Sequence, residues 1–196
     1  MHADRDLGQE LAQLIHSIYP LPAASIRQVT DLATEIPFSK DELIFEINQP
    51  NDREYFLLEG VCISFLLDES GREHVLSFFQ APAVITPHVV RTERQVSLLN
   101  LKALTPVRLA ALSAPEFEAL LEHDLNIRAF ANHVLRRELQ EKVKKEIGLA
   151  ALGAIERLAQ FRVQFPGLEN IVSHPYIASY LGITPVSLSR LRQQRS

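Results

Sequence analysis

The chain has 196 residues, of which 46% are hydrophobic and 22% charged, enough apolar material for one sizeable domain and a small one, and too much for a disordered chain. Its single cysteine, Cys62, excludes an internal disulfide, a cysteine-rich zinc site and a four-cysteine iron–sulfur cluster, which fits a reducing cytoplasm. The 20 basic and 24 acidic side chains are unevenly spread: residues 1–123 hold 9 and 18, residues 124–196 hold 11 and 6, so a front half of net −9 precedes a back half of net +5. Such a back half attracts nucleic acid and such a front half repels it.

In chain order, the charged stretch M-H-A-D-R-D-L-G-Q-E stands where a signal peptide would be apolar, and no apolar run reaches membrane-spanning length, so a cytoplasmic protein with no membrane contact is expected. Leu7–Tyr19 and Ala23–Leu32 have helical spacing and form a helical preface. From Ile36 to about Leu112 the texture is that of strands: E-L-I-F-E-I, Y-F-L-L-E-G, V-C-I-S-F-L-L, H-V-L-S-F-F, V-S-L-L-N-L and V-R-L-A-A-L, separated by Pro, Gly, Asn and Asp. Several short strands at close intervals predict a barrel or roll. The run D-E-S-G-R-E between Leu67 and His74 predicts a hairpin turn with Gly71 at positive φ. Ser113 and Glu116 have the spacing of a capping box opening a helix over Ala114–Glu122.

Leu125–Ile147 reads as one long helix with Ile127, Phe130, Ala131, Val134, Leu135, Leu139, Val143 and Ile147 along a stripe. A stripe of that length faces a second helix, the chain's own barrel, or each over part of its length. A dimer through this helix is expected, with the domain boundary near Gly148: residues 1–147 as a sensor with its dimerisation helix, 148–196 as the second domain. Ala154–Phe165 makes a further helix, ended by Pro166 and Gly167.

The last segment, H-P-Y-I-A-S-Y-L-G-I-T-P-V-S-L-S-R-L-R-Q-Q-R-S, carries the most chemistry. Ala178, Gly182 and Leu188 fall where a helix-turn-helix needs a small residue at the crossing, a flexible one in the turn and an apolar one on the second helix. Pro175 and Pro185 suit first helical positions, and Thr184 suits the N-cap, with Ser187 where a capping box would have Glu or Gln. The exposed stripe is then Pro185, Val186, Ser189, Arg190 and Gln193, with Arg192 and Arg195 near phosphates. Thr184 and Ser187 complete the expected DNA-binding set.

A helical preface, a β-roll, a long helix and a terminal helix-turn-helix together resemble the Crp/Fnr family of bacterial transcription regulators. Y-F-L-L-E-G at Tyr55–Gly60, A-L-S-A-P-E-F-E-A-L-L after the last strand, and F-P-G-L-E-N followed by Y-I-A-S-Y-L-G-I-T-P-V-S-L-S-R carry the likeness. The resemblance implies an α+β chain with an N-terminal double-stranded β-helix (β-roll) like the cyclic-nucleotide-binding domain, flanking helices, a long dimerisation helix and a small helix-turn-helix domain. It implies a homodimer sensing a small molecule and binding double-stranded DNA, with RNA polymerase as a further partner. Members that bind cyclic AMP present a Gly-Glu pair and an Arg-Ser or Arg-Thr pair, at positions that here hold Thr86-Pro87 and Ser97-Leu98. The ribose and phosphate partners are thus replaced, so no cyclic nucleotide is expected in that pocket, although Arg91 and Arg94 could meet another anion.

Two further departures touch DNA recognition. Val186 stands where many relatives have an acidic residue, and the sequence given ends within a few residues of the recognition helix, so no wing contacts are expected. His74, His88, His123 and His133 are too scattered for a metal or haem site, and no nucleophile–base pair or phosphate loop stands out, so neither an enzyme nor a cofactor is expected. A DNA-binding regulator with an unknown effector is favoured over a ligand-binding or protein-interaction module that reads little or no DNA.

Overall fold

The computed structural model describes residues 6–85 and 96–193. The chain orders as α1 (Leu7–Ile18), α2 (Ala23–Asp31), β1 (Thr34–Phe38), β2 (Leu43–Phe45), β3 (Arg53–Glu59), β4 (Val61–Leu67), β5 (Glu73–Gln80), β6 (Ala83–Ile85), β7 (Asn100–Ala103), β8 (Val107–Ser113), α3 (Ala114–His123), α4 (Leu125–Ala151), α5 (Ala154–Gln164), a 3₁₀ turn (Leu168–Asn170), α6 (His174–Tyr180) and α7 (Pro185–Gln193). It divides into two compact units, residues 1–62 with 79–138, and residues 63–78 with 139–196.

The strands form two four-stranded sheets, ordered β1-β8-β3-β6 and β2-β7-β4-β5. In the first unit the period-two alternation of β3 decides what each face meets. Phe56 points into a cluster with Leu11, Leu14, Ile15, Phe117, Ile127 and Phe130, which seats α1, α3 and the start of α4 on the sheet. Its neighbours Tyr55 and Leu57 point the other way, into a second core with Phe45, Cys62, Leu101 and Leu109. Arg108 on β8 ties the helical preface down. Its Nη2 donates to Glu10 of α1 at 2.9 Å and to Glu35 of β1 at 2.8 Å, and its Nη1 donates to Glu59 of β3 at 2.8 Å. Gly60 closes Y-F-L-L-E-G for a steric reason: φ is +95°, and a Cβ there would lie 2.4 Å from the Pro106 carbonyl oxygen.

The second unit joins the β4–β5 hairpin to the C-terminal helices. Asp68 organises the hairpin turn, accepting from the backbone N–H groups of Ser70 and Arg72, with Gly71 at φ 78°. Phe78 of β5 stacks edge-on with Phe161 and Tyr180 at centroid distances of 5.6 and 5.3 Å, and Phe165 completes the aromatic core.

The structure departs from the expected elements at several places. V-S-L-L-N-L is a strand only from Asn100, because Ser97 spends its backbone on Asn48 and Gln49 in a loop contact, and Val96 makes a lone bridge to Pro50. The strands β1 and β6 have no counterpart among the expected strand runs, and E-L-I-F-E-I is a strand only over Leu43–Phe45. Ser113 caps α3 by position, but its side chain makes no capping bond. The long helix runs through Gly148 to Ala151. A glycine costs a helix about 1 kcal/mol relative to alanine, which the helix tolerates here; a Cβ at 148 would meet Gln160 Oε1 at 3.4 Å, an ordinary contact.

Candidate nucleic-acid interface

The helix-turn-helix forms at the residues the sequence nominates. Ala178 is fully buried at the crossing, and Ile177 and Leu188 are also 0% exposed, so the two helices share one core. Gly182 has φ +64°, and a Cβ there would sit 3.0 Å from Leu149 Cδ2. The turn therefore needs glycine for its backbone conformation and for close packing. Thr184 caps α7: its Oγ1 accepts from the Ser187 N–H at 3.1 Å, and its carbonyl accepts from Leu188 N–H at 3.0 Å. The Ser187 hydroxyl pairs with the Thr184 hydroxyl at 2.9 Å, so this half-buried serine serves the cap.

With Leu188 inward, Pro185, Val186, Ser189, Arg190 and Gln193 are all exposed along one side of α7, Val186 at 61%. Two arginines on this helix have different surroundings. Arg190 is exposed, whereas Arg192 is half-buried, with Nε 3.4 Å from a Glu169 carboxylate oxygen and its guanidinium against the His174 ring. Glu169 also pairs with Arg162, whose guanidinium holds that carboxyl below its ordinary range. Arg192, expected near phosphates, is thus held within the protein in this structure by Glu169 and His174. Arg195 lies outside the described residues.

Four supports escaped the sequence analysis because each has at least one partner in another element of the chain. Ser179 Oγ accepts from the Val75 N–H at 2.9 Å and donates to the Glu73 carbonyl at 3.2 Å, binding α6 to β5. Lys145 donates to the Leu76 carbonyl at 2.7 Å with its ammonium 4.0 Å from the Tyr180 ring centre. Burial and the nearby Lys142 push Lys145 down to about 8. Lys142 itself bonds the Ser77 hydroxyl. Arg157 donates to backbone carbonyls of Leu152 and Leu181.

The expected dimerisation stripe divides along α4. Ile127, Phe130 and Val134 are buried in the core of their own unit, and Leu135 is half-buried, while Leu139, Val143 and Ile147 are 65%, 44% and 56% exposed. The first three positions are thus occupied with the chain's own roll and are corrected to core residues. Of the expected effector pocket, Thr86, Pro87, Arg91 and Arg94 lie outside the described residues. Ser97 is fully buried and its hydroxyl has no partner among the described residues, and Leu98 is 46% exposed. Cys62 is fully buried, and burial pushes its thiol up to about 12, which suits a packed apolar residue. Among the described residues no group of three or more His, Cys, Asp and Glu side chains could hold a metal, and no helix is long and apolar enough to cross a membrane.

Residues 35–124, from β1 through α3, match the family model of the cyclic nucleotide-binding domain. The cAMP-activated global transcriptional regulator CRP of Pasteurella multocida is 25% identical over 121 residues, 62% of this chain and 58% of that protein. The global nitrogen regulator of Synechocystis is 26% identical over 186 residues, covering 88% of this chain and 83% of that protein. The structure of FixK2 from Bradyrhizobium japonicum superimposes with a TM-score of 0.72 at 23% identity, covering 83% of each chain. In sequence and in fold the chain is similar to these transcription regulators, and its fold is also shared by a structure described as a transcriptional regulator of the Crp/Fnr family from Eubacterium rectale. The matched domain stops at Asp124, one residue before α4 begins. Asp124 is a joint in its own right: its carboxylate accepts from Ser25 of α2 at 2.7 Å and from the Asn126 N–H at the start of α4 at 2.8 Å. These bonds hold its carboxyl below the ordinary range.

Proposed function

We propose that the chain is a homodimeric, DNA-binding transcription regulator whose sensor half answers something other than a cyclic nucleotide. One observation carries the proposal. Packing Leu188 inward leaves Pro185, Val186, Ser189, Arg190 and Gln193 facing solvent together, on a second helix that is capped by Thr184 and seated by a glycine turn. Such a helix has the dimensions and side chains to enter a major groove, and the net +5 of residues 124–196 favours the approach to phosphates. The exposed Leu139, Val143 and Ile147, spaced by four on α4, support pairing of two copies along that helix. RNA polymerase, as the partner of a bound regulator, follows from the same reading.

Selection of duplexes from a random pool, followed by anisotropy titration at two salt concentrations, tests the proposal. A selected sequence is expected to bind far more tightly than a scrambled one. Arg190→Ala is expected to cost about 1–3 kcal/mol on that sequence if Arg190 reads a guanine. Equal, weak binding to all duplexes before and after the substitution would favour a ligand-binding or protein-interaction module instead.

A further inference from the structure

Arg157 sits in the first turn of α5, and its guanidinium spans two backbone carbonyls from separate elements. Nη1 donates at 2.6 Å to the carbonyl of Leu152, in the link that follows α4. Nε donates at 2.9 Å to the carbonyl of Leu181, the C-cap of α6 at the threshold of the helix-turn-helix turn. Both carbonyls lie at helix ends, where intrahelical donors run out. A guanidinium is a flat, rigid fork, so satisfying both acceptors fixes their separation as well as their charge environment. The neighbouring contact is independent of these bonds. Leu149, in the last turn of α4, packs against Gly182 so closely that a Cβ at 182 would meet it at 3.0 Å. The turn is therefore held to the end of α4 twice, by the Arg157 bridge and by Leu149 over bare backbone.

The geometry points to Arg157 as the positioning residue that fixes the helix-turn-helix on the end of α4 and so sets the separation of the two recognition helices. The second half of this assignment rests on the proposed dimer and its reading of DNA; the first half does not. A lysine at 157 could reach one carbonyl but has no planar fork with which to hold two. The bridge touches no DNA-facing residue, so its loss acts on where α7 is held and leaves its contact surface intact.

The test separates these layers. Lys144→Cys and Ser189→Cys in one chain carry a donor–acceptor dye pair reporting the distance from α4 to α7; Cys62 is fully buried and stays unlabelled. Labelled protein is diluted into unlabelled protein so that only one protomer of any dimer is observed. Wild-type Arg157 is expected to give a single narrow distance, and Arg157→Met a broadened and shifted one. Arg157→Lys is expected to fall between them and supplies the comparison should Arg157→Met fail to fold. An unchanged narrow distance in both variants overturns the assignment whatever happens to DNA binding. With unlabelled protein, Arg157→Met is expected to lose the preference for one half-site spacing while retaining binding to a single half-site. A parallel loss on every spacing, with the distance unchanged, marks Arg157 as merely structural and also overturns it. Absence of duplex binding by the wild type defeats the regulator reading alone, since the dye distance still decides the role of Arg157 in holding α7.

Discussion

At position 182 two demands coincide that chemistry alone would keep separate. A residue with a Cβ pays roughly 1–2 kcal/mol to hold a left-handed backbone, and here it would also push on Leu149 at 3.0 Å. Gly182→Ala is therefore expected to lower the melting temperature and to loosen the turn, visible as faster amide exchange at Ile183, whose N–H bonds the Ala178 carbonyl at 3.0 Å. Lys145 makes a different demand. Its folded value of about 8 lies below its ordinary 10.5 because burial and Lys142 disfavour the charge. Between those two values the unfolded chain holds a proton that the folded chain has released, so this group makes stability rise with pH across the window. Below about 8 both states are charged and its burial cost is fully present. Denaturant titrations from pH 7 to pH 10 are expected to show that rise, and Lys145→Met is expected to remove it; an identical slope in the variant would mean that the ammonium is not buried in solution.

At the scale of elements, α4 does two jobs with one helix. Its first half supplies Ile127, Phe130 and Val134 to the core around Phe56, and its second half leaves Leu139, Val143 and Ile147 uncovered. Two substitutions of the same kind should then act differently. Leu139→Glu is expected to halve the mass seen in sedimentation while leaving the protomer folded, whereas Val134→Glu is expected to unfold the first unit by placing an unpaired charge in its core. A Leu139→Glu protein that remains a dimer would show that the uncovered stripe faces something other than a second copy. Periodicity could mark the stripe but not apportion it, because apolar residues repeat in the same way whether the surface they meet belongs to the same chain or another. The helix-turn-helix was legible for the opposite reason: its constraints are local, and Ala178, Gly182, Thr184 and Leu188 each answer to a neighbour a few residues away. The capping box at Ser113 failed although its pattern was present, since pattern gives spacing and not the rotamer. Nothing local in the chain announces that Ser179 and Lys145 would bind the backbone of β5, a hundred residues away in one case.

For the molecule as a whole, the proposed sensor half is open to a direct test of its ligand. The matched domain bears the name of cyclic nucleotides, and a curated relative is described as cAMP-activated. The resemblance places the phosphate-neutralising arginine at Ser97, which is fully buried, with its backbone committed to Asn48 and Gln49. A cyclic phosphate brought there would meet a hydroxyl where it requires a cation, and an unpaired buried anion costs several kcal/mol. Cyclic AMP and cyclic GMP are accordingly expected to leave the melting temperature unchanged at millimolar concentration. The measurement is sensitive enough to decide, because a ligand present at a hundred times its dissociation constant adds about 2.7 kcal/mol to the folded state. A rise of several degrees with either nucleotide would sink the pocket argument and direct attention to Arg91 or Arg94 as the substitute cation, to be checked by repeating the melt with each changed to Ala. Restoring the family arginine by Ser97→Arg is not expected to create nucleotide binding. A side chain of that size has no space at a position without exposed surface, and the variant should unfold at lower temperature than the parent, with or without ligand.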